Sequence, residues 1–94
     1  MLVRLVQFSF AAEDAAKAKA IFAELQSASR AEAGVVAFYV ARSDDDPTRF
    51  VLWEVYENQA AFDFHTASEH YQRLVIDGVR KLAKERKGES LSPL

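Results

Sequence analysis

The chain has no cysteine, only three glycines and two prolines, and a single methionine and a single tryptophan. Without cysteine there is no disulfide framework, no thiolate nucleophile and no sulfur-ligated zinc or iron–sulfur centre. No glycine-rich phosphate loop and no serine-bearing elbow is present, so nucleotide and hydride-transfer chemistry find no support. The apolar start MLVRLVQFSF is too short to span a bilayer. It also lacks the charged lead and small-residue cleavage site of a signal peptide, so a cytoplasmic protein with no membrane partner is expected. Positive charge is scarce too: the formal net charge is −2. The densest basic run, Arg80, Lys81, Lys84, Arg86 and Lys87, is broken by Glu85 and reads as a solvated helix end that complements the helix dipole. A nucleic-acid surface would need a stronger positive field.

What is present is an ordinary globular composition. Half of the 94 residues are hydrophobic and 28% are charged, enough for one core and hence one domain over 1–94. A domain this small leaves apolar surface uncovered, and association with a second copy is the natural remedy.

Residues 2–10 (LVRLVQFSF) read as a strand buried on much of both faces. Glu13 and Asp14 open a helix to about Ala33, with Ala18, Ile21, Phe22, Leu25 and Ala28 as its apolar stripe. Gly34 fits its C-cap in the left-handed conformation. Residues 35–42 and 49–56 form two more strands, joined as a hairpin through SDDDPT. Asn58 caps a helix over 59–67, and Ser68 caps another over 69–86. Gly88 ends that helix, and GESLSPL supplies a short last strand. The order β-α-β-β-α-β predicts an α+β, ferredoxin-like fold. On the third strand Phe50, Leu52, Glu54 and Tyr56 share one face, and Val51, Trp53 and Val55 the other. Neither face is polar enough for water, so one meets the helices and the other a second sheet.

Both histidines fall in the segment 54–71, EVYENQAAFDFHTASEHY. Five residues apart, they would sit about 140° apart on one ideal helix, which argues against a shared metal. His65 is either a partly buried histidine bonded to a backbone carbonyl or a proton shuttle beside an aromatic pocket. Glu54, between Leu52 and Tyr56 on one strand face, must find a partner or take up a proton. Arg4, His65 and Arg49 are its candidate partners, in an ion pair or in a site. His70 stands near Ser68 and Glu69 at a helix start, making local hydrogen bonds. Tyr39, Trp53, Tyr56, Phe62, Phe64 and Tyr71 either fill the core or line a flat aromatic pocket.

In order and spacing, EAGVVAFYV (32–40), FVLWEVYENQAAFDFHTASEHY (50–71) and the closing SPL resemble the antibiotic biosynthesis monooxygenase family. The pieces that carry the resemblance are Glu32 and Gly34, Tyr39, Glu54 and Tyr56, Ala61 and His65, and Ser68, His70 and Tyr71. The resemblance implies a dimeric α+β barrel, two facing four-stranded sheets with helices outside, and a pocket between sheet and helices in each subunit. It further implies oxidation of a small quinol-like or phenolic compound by molecular oxygen, with no cofactor. His65 would be the proton-abstracting base and Glu54 would orient it or hold the substrate hydroxyl. Tyr39, Trp53, Tyr56, Phe64, His70 and Tyr71 would line the substrate. Haem-degrading relatives carry an Asn in strand one, a Trp in the helix and a downstream His. Here Gln7 and His65 occupy the first two places, and RLVIDGVRK has no histidine. Two other functions remain compatible with the family: a non-catalytic dimeric ligand-binding or stress-response domain, and an isomerase of a small hydroxy-carbonyl compound.

Overall fold

The computed structural model describes all residues, Met1–Leu94. Strand β1 (Leu2–Ser9) leads through a 3-10 turn at Ala12–Asp14 into helix α1 (Ala15–Arg30). Strands β2 (Val35–Arg42) and β3 (Arg49–Tyr56) form the expected hairpin. Its turn is held by Ser43 Oγ, which accepts from the amides of Asp45 and Asp46, and by Asp46 Oδ1, which accepts from Thr48. Helix α2 (Gln59–Ala67) begins at Asn58, whose side chain accepts from the Ala61 amide. Helix α3 runs on continuously through Glu69–Tyr71, Gln72–Val79 and Arg80–Leu82, and strand β4 (Glu85–Leu91) closes the chain.

The four strands make one antiparallel sheet in the order β2-β3-β1-β4, the ferredoxin-like arrangement, with the helices on one face. Alternation along β3 turns Phe50, Leu52, Glu54 and Tyr56 inward toward them. The core beneath is aromatic. Phe22 of α1 meets Phe8, Phe10 and Phe50 with ring centroids 5.4, 5.9 and 5.2 Å away. Gln26 and Arg30 of α1 reach back to edge strand β2, where the Val40 amide donates to Gln26 and Arg30 donates to the Phe38 carbonyl. The opposite sheet face stays open, with Tyr39 and Trp53 59% and 42% exposed.

Three expectations need correction. Helix α3 ends at Leu82, not near 86; Arg86 and Lys87 lie in β4, where Arg86 pairs with Phe8 of β1. An edge strand with one face at a cavity mouth tolerates the same charged residues as a helix end, so composition could not separate the two. Gly88 therefore ends no helix; it sits within β4 opposite Val6. Gly34 is not in the left-handed region, for no glycine has positive φ. Its lack of a side chain serves close packing instead, since a Cβ there would lie 2.5 Å from the Ala61 Cβ.

The middle of α3, Gln72–Val79, is wound as a π-helix, with bonds to the fifth residue rather than the fourth. In an α-helix, residues nine apart point to opposite sides, because nine residues make two and a half turns. The wider winding brings them close to two turns. Tyr71 and Arg80 consequently share a side, and Arg80 Nη2 donates to Tyr71 Oη at 3.0 Å. No helix is long and apolar enough to cross a membrane.

Candidate active site

Between the inner face of the sheet and the helices lies a cavity of about 90 Å3. Its walls are apolar (Val6, Leu52, Phe62 and Val75 among them), and its polar lining is Glu54, His65, Tyr71, Arg4, Arg80 and Arg86.

His65 comes from the last turn of α2 and is 1% exposed. Its ring packs against Phe38, Tyr56 and Tyr71, with centroids 5.6, 5.3 and 5.2 Å away. Nδ1 lies 2.8 Å from Oε2 of Glu32, which sits just after α1, so the buried partner is a carboxylate and not a backbone carbonyl. His70 Nε2 reaches the same oxygen at 2.7 Å. The two histidines therefore meet at one carboxylate, although a single ideal helix would set them about 140° apart. Ser68, with ψ of 154°, breaks the helix between them and resets the rotation. Its hydroxyl donates to the His65 carbonyl and accepts from the Tyr71 amide, fixing the break.

A carboxylate only accepts hydrogen bonds, so Glu32 requires an N–H on both nitrogens that meet it. Neutral His65 is thereby held with its proton on Nδ1, leaving Nε2 with a free lone pair and no partner within the chain. The same three residues could hold a cation, since one ligand atom from each lies within 4.8 Å of the others. Glu32 Oε1 is buried without a hydrogen-bond partner.

Glu54 lines the cavity from β3, almost fully buried. Neither Arg4 nor Arg49 pairs with it: Arg4 donates to Ser90 Oγ and Arg49 to Gln7. Its bond is to Tyr56, whose hydroxyl donates to Oε1 at 2.5 Å. Burial pushes the Glu54 carboxyl above its ordinary value of 4.5, against the opposing pull of the Tyr56 hydrogen bond and of His65. The Tyr56 hydroxyl is likewise driven up, by its own burial and by Glu54, and stays a donor.

A raised carboxyl pKa favours the protonated folded state. Stability from Glu54 is therefore full below 4.5 and is lost as pH rises through its folded value. Glu54→Gln keeps an acceptor for Tyr56 and removes the titration. Thermal melts of the variant should decline less with rising pH than wild type; parallel curves would contradict the buried carboxylate.

Of the residues singled out in the sequence, His65, Glu54, Tyr71, Phe62 and Arg4 meet at the cavity, and Tyr56 lies directly behind it. His70 backs His65 through Glu32 rather than lining the cavity. Tyr39 and Trp53 lie on the open sheet face, and Phe64 is 67% exposed on α2. The arginines at the cavity were legible only in part. Arg86, Gly88 and Ser90 alternate on one face of β4, but Arg86 falls in the basic run that reads as a helix end, so only Gly88 and Ser90 are placed in a strand by the sequence.

The model of the antibiotic biosynthesis monooxygenase family matches residues 1–75. A candidate antibiotic biosynthesis monooxygenase from Nitrosomonas europaea is 32% identical with a TM-score of 0.94, covering 100% of this chain and 99% of that one. A second structure, described as an antibiotic biosynthesis monooxygenase, is 25% identical with a TM-score of 0.93 over 100% and 99%. A protein from Pseudomonas aeruginosa is 26% identical with a TM-score of 0.91, over 99% of this chain and 93% of its own. The family match takes in β1 to β3, α1, α2 and the start of α3, with Glu54 and both histidines, and the chain belongs to the antibiotic biosynthesis monooxygenase family.

Proposed function

We propose that the protein is a monooxygenase that oxidises a small, single-ring phenol or hydroquinone with molecular oxygen, using no cofactor. The observation that carries this reading is the Glu32–His65 pair, which leaves the free nitrogen of a buried histidine as the base beside an apolar cavity. His65 Nε2 takes the phenol proton, and the phenolate passes one electron to dioxygen. The radical pair joins at a hydrogen-bearing ring carbon ortho to the oxygen, and the imidazolium returns its proton to the peroxide. Removal of the ring C–H proton expels hydroxide, giving a quinone and water. One oxygen atom enters the product and the other leaves as water. The apolar inner walls favour the step by limiting solvent around the peroxide. Glu54 orients the substrate hydroxyl, with Tyr56 fixing Glu54 in turn.

The volume limits the substrate. An apolar cavity near 150 Å3 admits benzene, so about 90 Å3 admits a ring only if the mouth side chains swing outward. Fused polycyclic rings are too large. The test is oxygen uptake by metal-stripped protein with a panel of hydroquinones and phenols. No uptake with any phenol, but conversion of a hydroxy-ketone, would favour the isomerase reading. Uptake restored only by a divalent metal, and lost in His70→Ala, would instead make Glu32, His65 and His70 metal ligands.

The working form is a homodimer in which the two open sheet faces meet. Leu5, Val51, Trp53, Val55 and Tyr39 give that face its apolar surface. Trp53→Lys places a charge at its centre. In light-scattering chromatography the variant should elute at the monomer mass of 10.6 kDa, whereas wild type should run at twice that. Identical masses would overturn the face-to-face dimer.

A further inference from the structure

Three guanidinium groups, those of Arg4, Arg80 and Arg86, border the cavity, and none of them makes an ion pair. They come from three separate elements, β1, α3 and β4. Arg4 and Arg86 converge over Gly88. A Cβ at that glycine would lie 2.7 Å from Arg4 Nη2 and 3.3 and 3.5 Å from Arg86 Nη2 and Nη1. Arg80 is brought to the same side by the π-wound turn and anchored on Tyr71 Oη. Each is steadied by a group that carries no charge: Ser90 Oγ for Arg4, Tyr71 Oη for Arg80, and the Phe8 ring, 5.8 Å from the Arg86 guanidinium carbon. Only one carboxylate lines the cavity, Glu54, and its own hydrogen bond is to Tyr56.

Like charges gathered without a counter-charge are unfavourable, and the cost shows on Arg86. Burial pulls its pKa below the ordinary range, and the nearby charges of Arg80 and Arg4 pull the same way. Glu54 is drawn toward its neutral form and offsets them little. Arg80 and Arg86 are exposed and hydrated, and three guanidinium groups converging without a counter-charge on one cavity form a candidate anion site. Guanidinium forks match the planar geometry of a carboxylate.

We propose that Arg4, Arg80 and Arg86 form a carboxylate-recognition site at the cavity mouth, so that the ligand is a single-ring aromatic acid with its ring inward. The proposal rests on the reading above only in taking the cavity as the ligand site. The carboxylate lies at the mouth among the arginines and the ring hydroxyl points inward toward His65 and Glu54. A para-hydroxybenzoate has this shape: its acid group and its hydroxyl lie at opposite ends of one ring.

The test is calorimetric binding under argon, with no turnover, so it stands apart from whether oxygen is consumed. The probes are 4-hydroxybenzoate and the uncharged 4-hydroxybenzamide. The acid is expected to bind about 10- to 100-fold more tightly than the amide, as a charge-assisted bidentate pair allows. Arg4→Gln and Arg86→Gln should each remove most of that preference and leave the amide's affinity within about twofold. Their melting temperatures should match or exceed wild type, because like-charge repulsion is relieved; a purely structural arginine would lower them. Equal affinity for acid and amide would overturn the proposal. So would undiminished preference in both variants, or no binding of either probe at millimolar concentration.

Discussion

Replacing His65 by alanine is expected to cut oxygen uptake with a good hydroquinone by about 10^2- to 10^4-fold, the range that a positioned general base contributes. The loss should fall on kcat, since the imidazole acts on the substrate proton and the cavity walls that bind the ring remain. Glu32→Gln should reduce kcat in the same direction. An amide can present either an oxygen or an N–H to Nδ1, so the ring is no longer held in the one tautomer with Nε2 free. His70→Ala should cost less, because Glu32 keeps its bond to His65. Ranked rates in the order wild type, His70→Ala, Glu32→Gln, His65→Ala would support the relay. Equal uptake by wild type and His65→Ala would remove the proposed base altogether.

The largest effect on stability is expected at Phe22. Its ring is buried at the centre of an aromatic group formed with Phe8, Phe10 and Phe50, and it also lines the cavity. Truncation to alanine removes most of a fully buried ring beside space that already exists, so collapse cannot refill the gap. A Phe→Ala change of this kind costs about 3–5 kcal/mol. A domain of this size shifts by roughly 4–8 °C per kcal/mol, so the melting temperature should fall by at least about 12 °C. Against a total stability of about 5–15 kcal/mol, the variant stands near the limit of folding at room temperature. Phe22→Leu should recover more than half of the loss. A drop of only a few degrees for Phe22→Ala would mean that the core is held elsewhere.

Much of the fold is written locally in the sequence, and the site is written mostly at long range. Alternation along β3 separated Glu54 from Trp53 correctly because a strand's period of two needs no partner to be read. Asn58 and Ser68 act through bonds to residues three positions on, well within local reach. Glu32, by contrast, meets His65 and His70 across 33 and 38 positions, and no local pattern encodes that meeting. Spacing does not give the rotation between the two histidines, although it does show the residue that breaks the helix. A cap at Ser68 ends one helix axis, and angles cannot be carried across it. Gly88 reads as a helix stop, and Arg86 as part of the helix end, because the basic run before the glycine suits one. The register that places them beside Val6 and Phe8 exists only once β4 is paired with β1.

The π-wound stretch of α3 makes chain length itself a functional variable. Deleting one residue between Gln72 and Val79 would let the segment relax to ordinary α winding with nearly unchanged composition. Tyr71 and Arg80 would then be eight apart, and the pairing that now crosses the wide turn would have to re-form across a helix of different pitch. In relatives, a one-position gap within this helix is therefore equivalent to a change of site residue. Two chains that agree at every aligned position could still differ in whether a guanidinium reaches the cavity.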